Sequence, residues 1–426
     1  MKTNTEIEHG KPQHIGASNV TGQGRPLGVY IHFPWCIAKC PYCDFFSVGN
    51  RAGIEHEDYA SAVINELYQR HGAIQPAELE SIYFGGGTPS LWDETQVQRV
   101  IEQVLIVFGA RKESVEITLE CNPSSFESRK CSRWKSAGVN RLSLGVQSLD
   151  NESLRYLGRV HDSRAAMEAL HAALESEIAQ VGADIIFGLP GRAVADCVGE
   201  VRRLPLAELS HVSAYALTIE PNTPFGIRAR TGRLELAPDE LITDSFIALH
   251  EELERVGFEH YEISNYARPR CRSRHNTGYW QGRDYLGLGV AAWGTVSLRE
   301  NGGAAESKRR HLRYRNTTNI GRYVQALALG SNPVLWDSLP SGIVAEHEVI
   351  DETVALSERF LLGLRTREGV DLDLLSTQFD IDAWLCSRRR ALDRLQSRGR
   401  ISIDGARLWI PFPMWYLADG TISELL

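Results

Sequence analysis

Residues 30–47 read "YIHFPWCIAKCPYCDFFS", a strand-like run that ends in three cysteines within eight positions. Cys36, Cys40 and Cys43 are spaced C-x3-C-x2-C, directly after "GVYIHF" (28–33). A disulfide takes two thiols and a structural zinc site takes four ligands, so three is an unusual number. Closely spaced thiolates are soft ligands suited to zinc or to iron–sulfur. Three cysteines on a four-iron cluster leave one iron open to the nitrogen and oxygen atoms of a small molecule. Spacing and setting favour the cluster; a zinc site borrowing His32 or Asp44 as fourth ligand is the alternative.

Outward from this stretch, short β-branched and aromatic runs recur: "SIYFGGG" (81–87), "VEITLECN" (115–122), "RLSLGVQS" (141–148), "ADIIFGLPG" (183–191) and "HVSAYALTIE" (211–220). Helix-period segments such as "DETQVQRVIEQVLIVFG" separate them, so the strands are expected to be parallel with crossover helices. Six units make an α/β fold, a partial (β/α)6 TIM-like barrel too short to close on itself. Alternation puts Glu116, Thr118, Glu120 and Asn122 on one strand face and Ile117, Leu119 and Cys121 on the other. Arg141, Ser143, Gly145 and Gln147 likewise oppose Leu142, Leu144 and Val146. Strands buried on both faces read as continuous apolar runs. One polar face, strand after strand, describes a barrel with a wet, functional interior.

The 426 residues suit one large domain and one smaller, with 43% hydrophobic and 23% charged residues and a net charge of −8. That charge argues against nucleic acid as a partner. The basic runs "RHLRYR" and "SRRRALDRLQSRGR" read as solvated helix faces. No apolar run is long enough for a membrane span. Eight cysteines, five of them isolated, suit a reducing cytoplasm. Residues 1–26 are expected to be a polar leader without fixed structure, 27–300 the barrel and its extension, and 301–350 a connecting segment. Residues 351–426 are expected to form a small winged-helix-like domain: helices, then a hairpin turned at Asp404-Gly405.

Chemistry concentrates at strand ends. In "FGGGTPS" (84–90) the glycines permit close backbone approach and offer amide N–H groups to a ligand. Glu120, Gln147 and Asp184 stand near the C-terminal ends of strands three to five, where barrel mouths hold their ligands. There they suit hydroxyl or amino groups.

These residues carry a resemblance. The cysteine triplet, with Tyr42 before the last cysteine, resembles the signature of the radical S-adenosylmethionine (SAM) superfamily. "YFGGGTPS", "ECNP", "LGVQSLD", "LGRVH", "IIFGLPG", "TIEPNTPF", "YEISNYA" and "HNTGYWQGRDYLGLG" are together similar to the oxygen-independent coproporphyrinogen III oxidase family. The resemblance implies a [4Fe-4S] cluster on Cys36, Cys40 and Cys43, with SAM on the fourth iron. It implies a SAM site of Tyr30, Tyr42, Gly86, Gly87, Thr88, Glu120, Gln147, Arg159, Asp184 and Ala216. Reductive cleavage of SAM to a 5′-deoxyadenosyl radical is the implied chemistry.

The family divides into oxidases, which decarboxylate coproporphyrinogen III, and HemW-like haem chaperones. Oxidases carry another cysteine two positions after the third and a longer N-terminal segment; here position 45 is Phe and residues 1–26 show no match to that segment. Both departures resemble the chaperone branch, which implies haem as cargo, a respiratory membrane protein as its recipient, and a monomer or homodimer. In the family's "HNxxYW" motif His275 is the expected haem ligand. Trp293 stands where relatives carry a histidine, and a tryptophan stacks on a porphyrin rather than ligating it. The alternatives are the oxidase itself and a binding module that keeps the cluster only as structure.

Overall fold

The computed structural model describes residues 25–49, 53–126, 128–299, 311–328 and 342–426. Most of the expected leader and parts of the expected connecting segment lie outside these residues. Six parallel strands follow one another in chain order: β1 (Arg25–Phe33), β2 (Ala77–Gly86), β3 (Glu116–Cys121), β4 (Arg141–Gln147), β5 (Gln180–Phe187) and β6 (His211–Ala216). Helices His56–His71, Glu94–Phe108, Ser128–Ala137, Ser163–Leu174 and Val194–Arg203 lie between them in the chain. Local chemistry sets their limits. In Glu94–Phe108, Asp93 accepts from the Thr95 and Gln96 amides, and Gly109 stops the helix in the left-handed region.

The alternation decides which face is dry. Ile82, Phe84, Ile117, Leu119, Leu142 and Leu144 are fully buried in the core shared with the helices. Their inward neighbours Tyr83, Glu120, Ser143 and Asp184 stay half-buried, so the barrel interior is reached by solvent. The sheet is open and longer than six strands. β7 (Glu259–Glu262) and β8 (Asn265–Ala267) extend it beyond β6, and β9 (Asp284–Leu288) pairs parallel with β1 at the other side. Antiparallel strands β10 (Trp293–Ser297), β11 (His311–Asn316) and β12 (Val344–Ile350) complete the order β12-β11-β10-β9-β1-β2-β3-β4-β5-β6-β8-β7.

Two expectations change. Most of "RHLRYR" is strand β11 rather than a helix face: Leu312 and Tyr314 are buried while His311, Arg313 and Arg315 alternate to the other side. The described parts of 301–350 also add two strands to the main sheet instead of only bridging. This extension is fastened to the helix His56–His71 through Glu66, which is wholly buried. Glu66 accepts from Arg70 Nε (2.6 Å), Asn316 Nδ2 (2.8 Å), Tyr323 Oη (2.6 Å) and the Gly289 amide (2.9 Å).

The C-terminal part contains helices Glu352–Gly363, Leu372–Ser376 and Ile381–Ser397 and a small antiparallel sheet of Val370–Asp371, Ser402–Asp404 and Arg407–Trp409. Its hairpin turns at Gly405-Ala406, one residue later than expected. The stacked rings of Phe360 and Trp384, 3.7 Å between centroids, lie in its core. Among the described residues no helix is long and apolar enough to cross a membrane.

Candidate cluster and cofactor site

The cysteine loop leaves β1 at Phe33 and is fastened to the end of β2. Gly87 and Thr88 donate their amides to the carbonyls of Phe33 and Trp35, each at 2.8 Å. A Cβ on Gly87 would lie 2.6 Å from the Trp35 carbonyl oxygen, and Gly86 has φ +105° against the His32 ring. The glycines are therefore required for contact between protein segments. The Gly86 amide is also engaged, donating to Glu120. This corrects the expectation that these amides are offered to a ligand.

Two cysteines of the loop are gripped by residues from the segments that follow β2 and β4. Thr88 Oγ1 donates to Cys36 Sγ at 3.5 Å. Arg159 donates through Nη1 to Cys40 Sγ (3.4 Å) and through Nη2 to the Gly145 carbonyl (3.0 Å). The Cys43 amide donates to the Cys40 carbonyl at 3.2 Å. Burial pushes the Cys43 thiol up to about 11, and the neighbouring Cys40 and Cys36 add to the rise. A metal centre supplies the positive charge that such a thiol needs to ionise. Arg159 Nε is buried with no hydrogen-bond partner. An uncancelled donor on a cation beside Cys40 fits an anionic group in this loop.

His32 does not suit the zinc alternative. Its Nδ1 bonds Tyr30 Oη (3.0 Å) and its Nε2 bonds the Phe46 carbonyl (2.8 Å). Burial lowers the ring to about 4, so it is neutral with both nitrogens in use. Among the described residues no three His, Cys, Asp or Glu side chains converge on a single ion, the three loop cysteines included.

Inside the barrel stand two carboxylates. Asp184 accepts from Ser143 Oγ at 3.0 and 2.9 Å, and Ser213 also bonds it. Its pKa is raised, burial outweighing those hydroxyls and the nearby Arg141 and Arg159. Glu120 accepts from Tyr83 Oη at 2.8 Å. Burial pushes it up to about 7, with the charge of Asp184 adding and the Tyr83 and Gly86 donors opposing. Folding thus favours protonated Glu120. That stabilisation is complete below the ordinary 4.5 and is lost as pH rises through about 7. Glu120→Gln is expected to flatten the ligand-free protein's stability profile over this window. Melting temperatures across the range check it, and a profile as steep as wild type removes the assignment.

Gln147 is a non-glycine residue at φ +64°, placed where the β4–β5 register shifts. Such strain persists where the surroundings over-determine it, typically at ligand sites. Tyr42 joins Arg159 through a side-chain hydrogen bond, and burial raises its pKa. Tyr30 and Tyr83 stack at 6.3 Å inside the barrel, and Ala216 ends β6, paired with Phe187. The structure thus gathers Tyr42, Thr88 and Arg159 around the cysteines, and Tyr30, Glu120, Gln147 and Asp184 along the inner wall. Sequence inspection singled out neither Tyr83 nor Ser213, which hold the carboxylates; their inward strand positions were the available signal.

His275 is a different case. It lies in the short helix Arg274–Trp280 at the opposite ends of the strands, across the barrel floor. Its backbone amide and Ser273 Oγ are held by Glu116 at the start of β3. Its Nδ1 bonds Ser81 Oγ and its Nε2 bonds Tyr279 Oη, both at 2.8 Å. The ring stacks on Tyr83 at 4.9 Å, against Gly28, where a Cβ would stand 3.0 Å away. Burial lowers its pKa to about 3. In a neutral imidazole with both nitrogens hydrogen-bonded the single lone pair is engaged, so contact with a metal requires one of these bonds to open. In this structure His275 fills the barrel floor, enclosed and hydrogen-bonded at both ring nitrogens.

With the geometry in place, relatives give it a context. Residues 30–202 match the radical SAM superfamily, and residues 350–411 match the HemN C-terminal domain. The heme chaperone HemW of Escherichia coli is 37% identical over 288 residues, which cover 68% of this chain and 75% of that one. Its namesake in Mycobacterium tuberculosis is 29% identical over 405 residues, 95% of each. Among solved structures, the E. coli coproporphyrinogen III oxidase HemN superposes with a TM-score of 0.75. That match covers 95% of this chain and 90% of the other at 18% identity, a likeness of fold. A three-cysteine loop over a half-open barrel, and a relative this similar across most of both lengths, make this protein a member of the HemW family of radical SAM proteins.

Proposed function

We propose that the protein is a haem chaperone that carries a [4Fe-4S] cluster on Cys36, Cys40 and Cys43 and binds SAM in the barrel interior. The observation that carries this is HemW-family membership together with a loop that has three cysteines and an exposed Phe45 in place of another. Thr88 and Arg159 orient two of the thiolates, and Arg159 brings positive charge to the cluster's edge. Glu120, Asp184 and Gln147, with Tyr30, Tyr42, Gly86, Gly87 and Ala216, form the proposed SAM-binding wall, whose carboxylates suit hydroxyl and amino groups. When bound, reduced cluster and SAM supply the one-electron and radical chemistry of the superfamily. All eight cysteines stand as free thiols, which supports a reducing cytoplasm. The proposed recipient of the haem is a respiratory membrane protein.

The oxidase alternative is supported by the likeness of fold. Titrating haem into the anaerobically reconstituted protein tests the chaperone. A saturable Soret difference band, with and without SAM, is the expected result, and no band at any concentration removes the proposal.

A further inference from the structure

An imidazole that is to meet a metal must release one of its two hydrogen bonds, and the two sides of His275 differ. Nδ1 faces into the sheet. Ser81, bonded to it, is buried on β2, and its register mate on β1 is Gly28. A Cβ on Gly28 would stand 3.0 Å from both Nδ1 and Ser81 Oγ. No approach to a metal runs between two paired strands packed this closely. Nε2 faces the other way, toward Tyr279 Oη, which belongs to the helix Arg274–Trp280 and not to the sheet.

Beyond Tyr279 the space opens. The void of about 10 Å³ beside His275 and a cleft of about 380 Å³ against the helix Glu352–Gly363 share three wall residues: Tyr279, Arg283 and Tyr285. Arg283 is paired with Glu80, and Tyr285 bonds Thr295. Tyr279 is the one bonded to the imidazole, with its ring edge-on to His275 at 4.7 Å and to Tyr285 at 4.5 Å. The backbone around it is fastened, since the amides of Gln281, Gly282 and Arg283 donate to the carbonyls of Thr277, Tyr279 and Gly278. Displacing Tyr279 is therefore a rotation of one side chain. Burial keeps the phenol protonated and the imidazole uncharged, so no other proton competes for the ring.

We propose that Tyr279 is a gate on His275. In the closed form its hydroxyl donates to Nε2, while Nδ1–H donates to Ser81 Oγ. Rotation of the phenol toward the cleft bares the Nε2 lone pair to a metal on that side, and Ser81 keeps the ring aimed, as outer partners of metal-bound imidazoles do. One hydrogen bond breaks and one iron–nitrogen bond forms; the phenol keeps its proton. Ferric haem is the metal compound and His275 its expected ligand, so the inference rests on the chaperone proposal. An enclosed imidazole thereby serves a metal without any strand moving.

Full-length, cluster-reconstituted protein is titrated with ferric haem, followed by the Soret band, and with metal-free protoporphyrin IX, followed by fluorescence. Tyr279→Phe keeps the ring and removes the competitor for Nε2. It is expected to bind haem about fivefold more tightly, with the wild-type Soret maximum and the wild-type protoporphyrin affinity. A merely structural hydroxyl would leave haem affinity as it is, or lower it together with that for protoporphyrin. Ser81→Ala is expected to weaken haem about tenfold and leave protoporphyrin unchanged. His275→Ala is expected to shift the Soret maximum. Iron and sulfide content certify each variant's fold; where Tyr279→Phe fails that check, Tyr279→Leu replaces it with the same expectation. Wild type that binds haem, with Tyr279→Phe no tighter, overturns the gate alone, as does a His275→Ala Soret band identical to that of wild type. Wild type that binds no haem overturns the chaperone proposal and the gate with it.

Discussion

Replacing Cys43 with alanine is expected to leave the anaerobically reconstituted protein colourless, with iron per chain falling from about four to near zero. The same result is expected for Cys36→Ala and Cys40→Ala, since each leaves the loop only two thiolates for a four-iron cluster. Alanine at Cys121, Cys131, Cys197, Cys271 or Cys386 should leave the iron content unchanged, because none lies in the cysteine loop. Thr88→Ala and Arg159→Lys should retain cluster but bind it less tightly, by about 10–100-fold if they behave as outer-shell contacts elsewhere do. Iron and sulfide assays with visible spectra decide the matter. Full colour in any of the three loop variants would overturn the ligand assignment.

Glu66→Ala carries the largest expected effect on stability. It strips the buried Arg70 of its carboxylate while the Asn316 amide, Tyr323 hydroxyl and Gly289 amide lose their acceptor. Removing one partner of a buried ion pair costs about 3–5 kcal/mol. Glu66→Leu should recover little of this, since Arg70 keeps its charge. Glu66→Leu with Arg70→Met should recover part, because it removes both charges and keeps the volume. Urea transitions of wild type, Glu66→Leu, Arg70→Met and the double variant give the coupling energy. A loss under about 1 kcal/mol for Glu66→Ala would show that the network is idle. Because this network ties β11 to the helix His56–His71, Glu66→Ala should also loosen the strand that carries His311 and Arg313.

Much of the barrel was legible because parallel strands with a wet interior leave a period-two signal. Glu120, Gln147 and Asp184 could be placed at the mouth from alternation and strand ends, and the structure puts them on one wall. The seventh parallel strand was not legible. "DYLGLG" returns to pair with β1 after a long excursion, and nothing local to it states that pairing. "RHLRYR" was misread through its charge, although Leu312 and Tyr314 already alternate with the basic residues. His275 shows a further limit. A motif marks a residue as constrained, but not which side of a wall it faces. Here its constraint is packing against Gly28, Ser81 and Tyr83.

That plug has a topological consequence. A void of only about 10 Å³ remains beside His275, room for a single water at most. The barrel is therefore filled at this end, between the starts of the strands and the helix Arg274–Trp280. Beyond the floor a cleft of about 380 Å³ opens against the helix Glu352–Gly363, and Tyr279 stands between the two. Its hydroxyl bonds His275 in the floor while its ring meets Tyr285 at 4.5 Å on the cleft side.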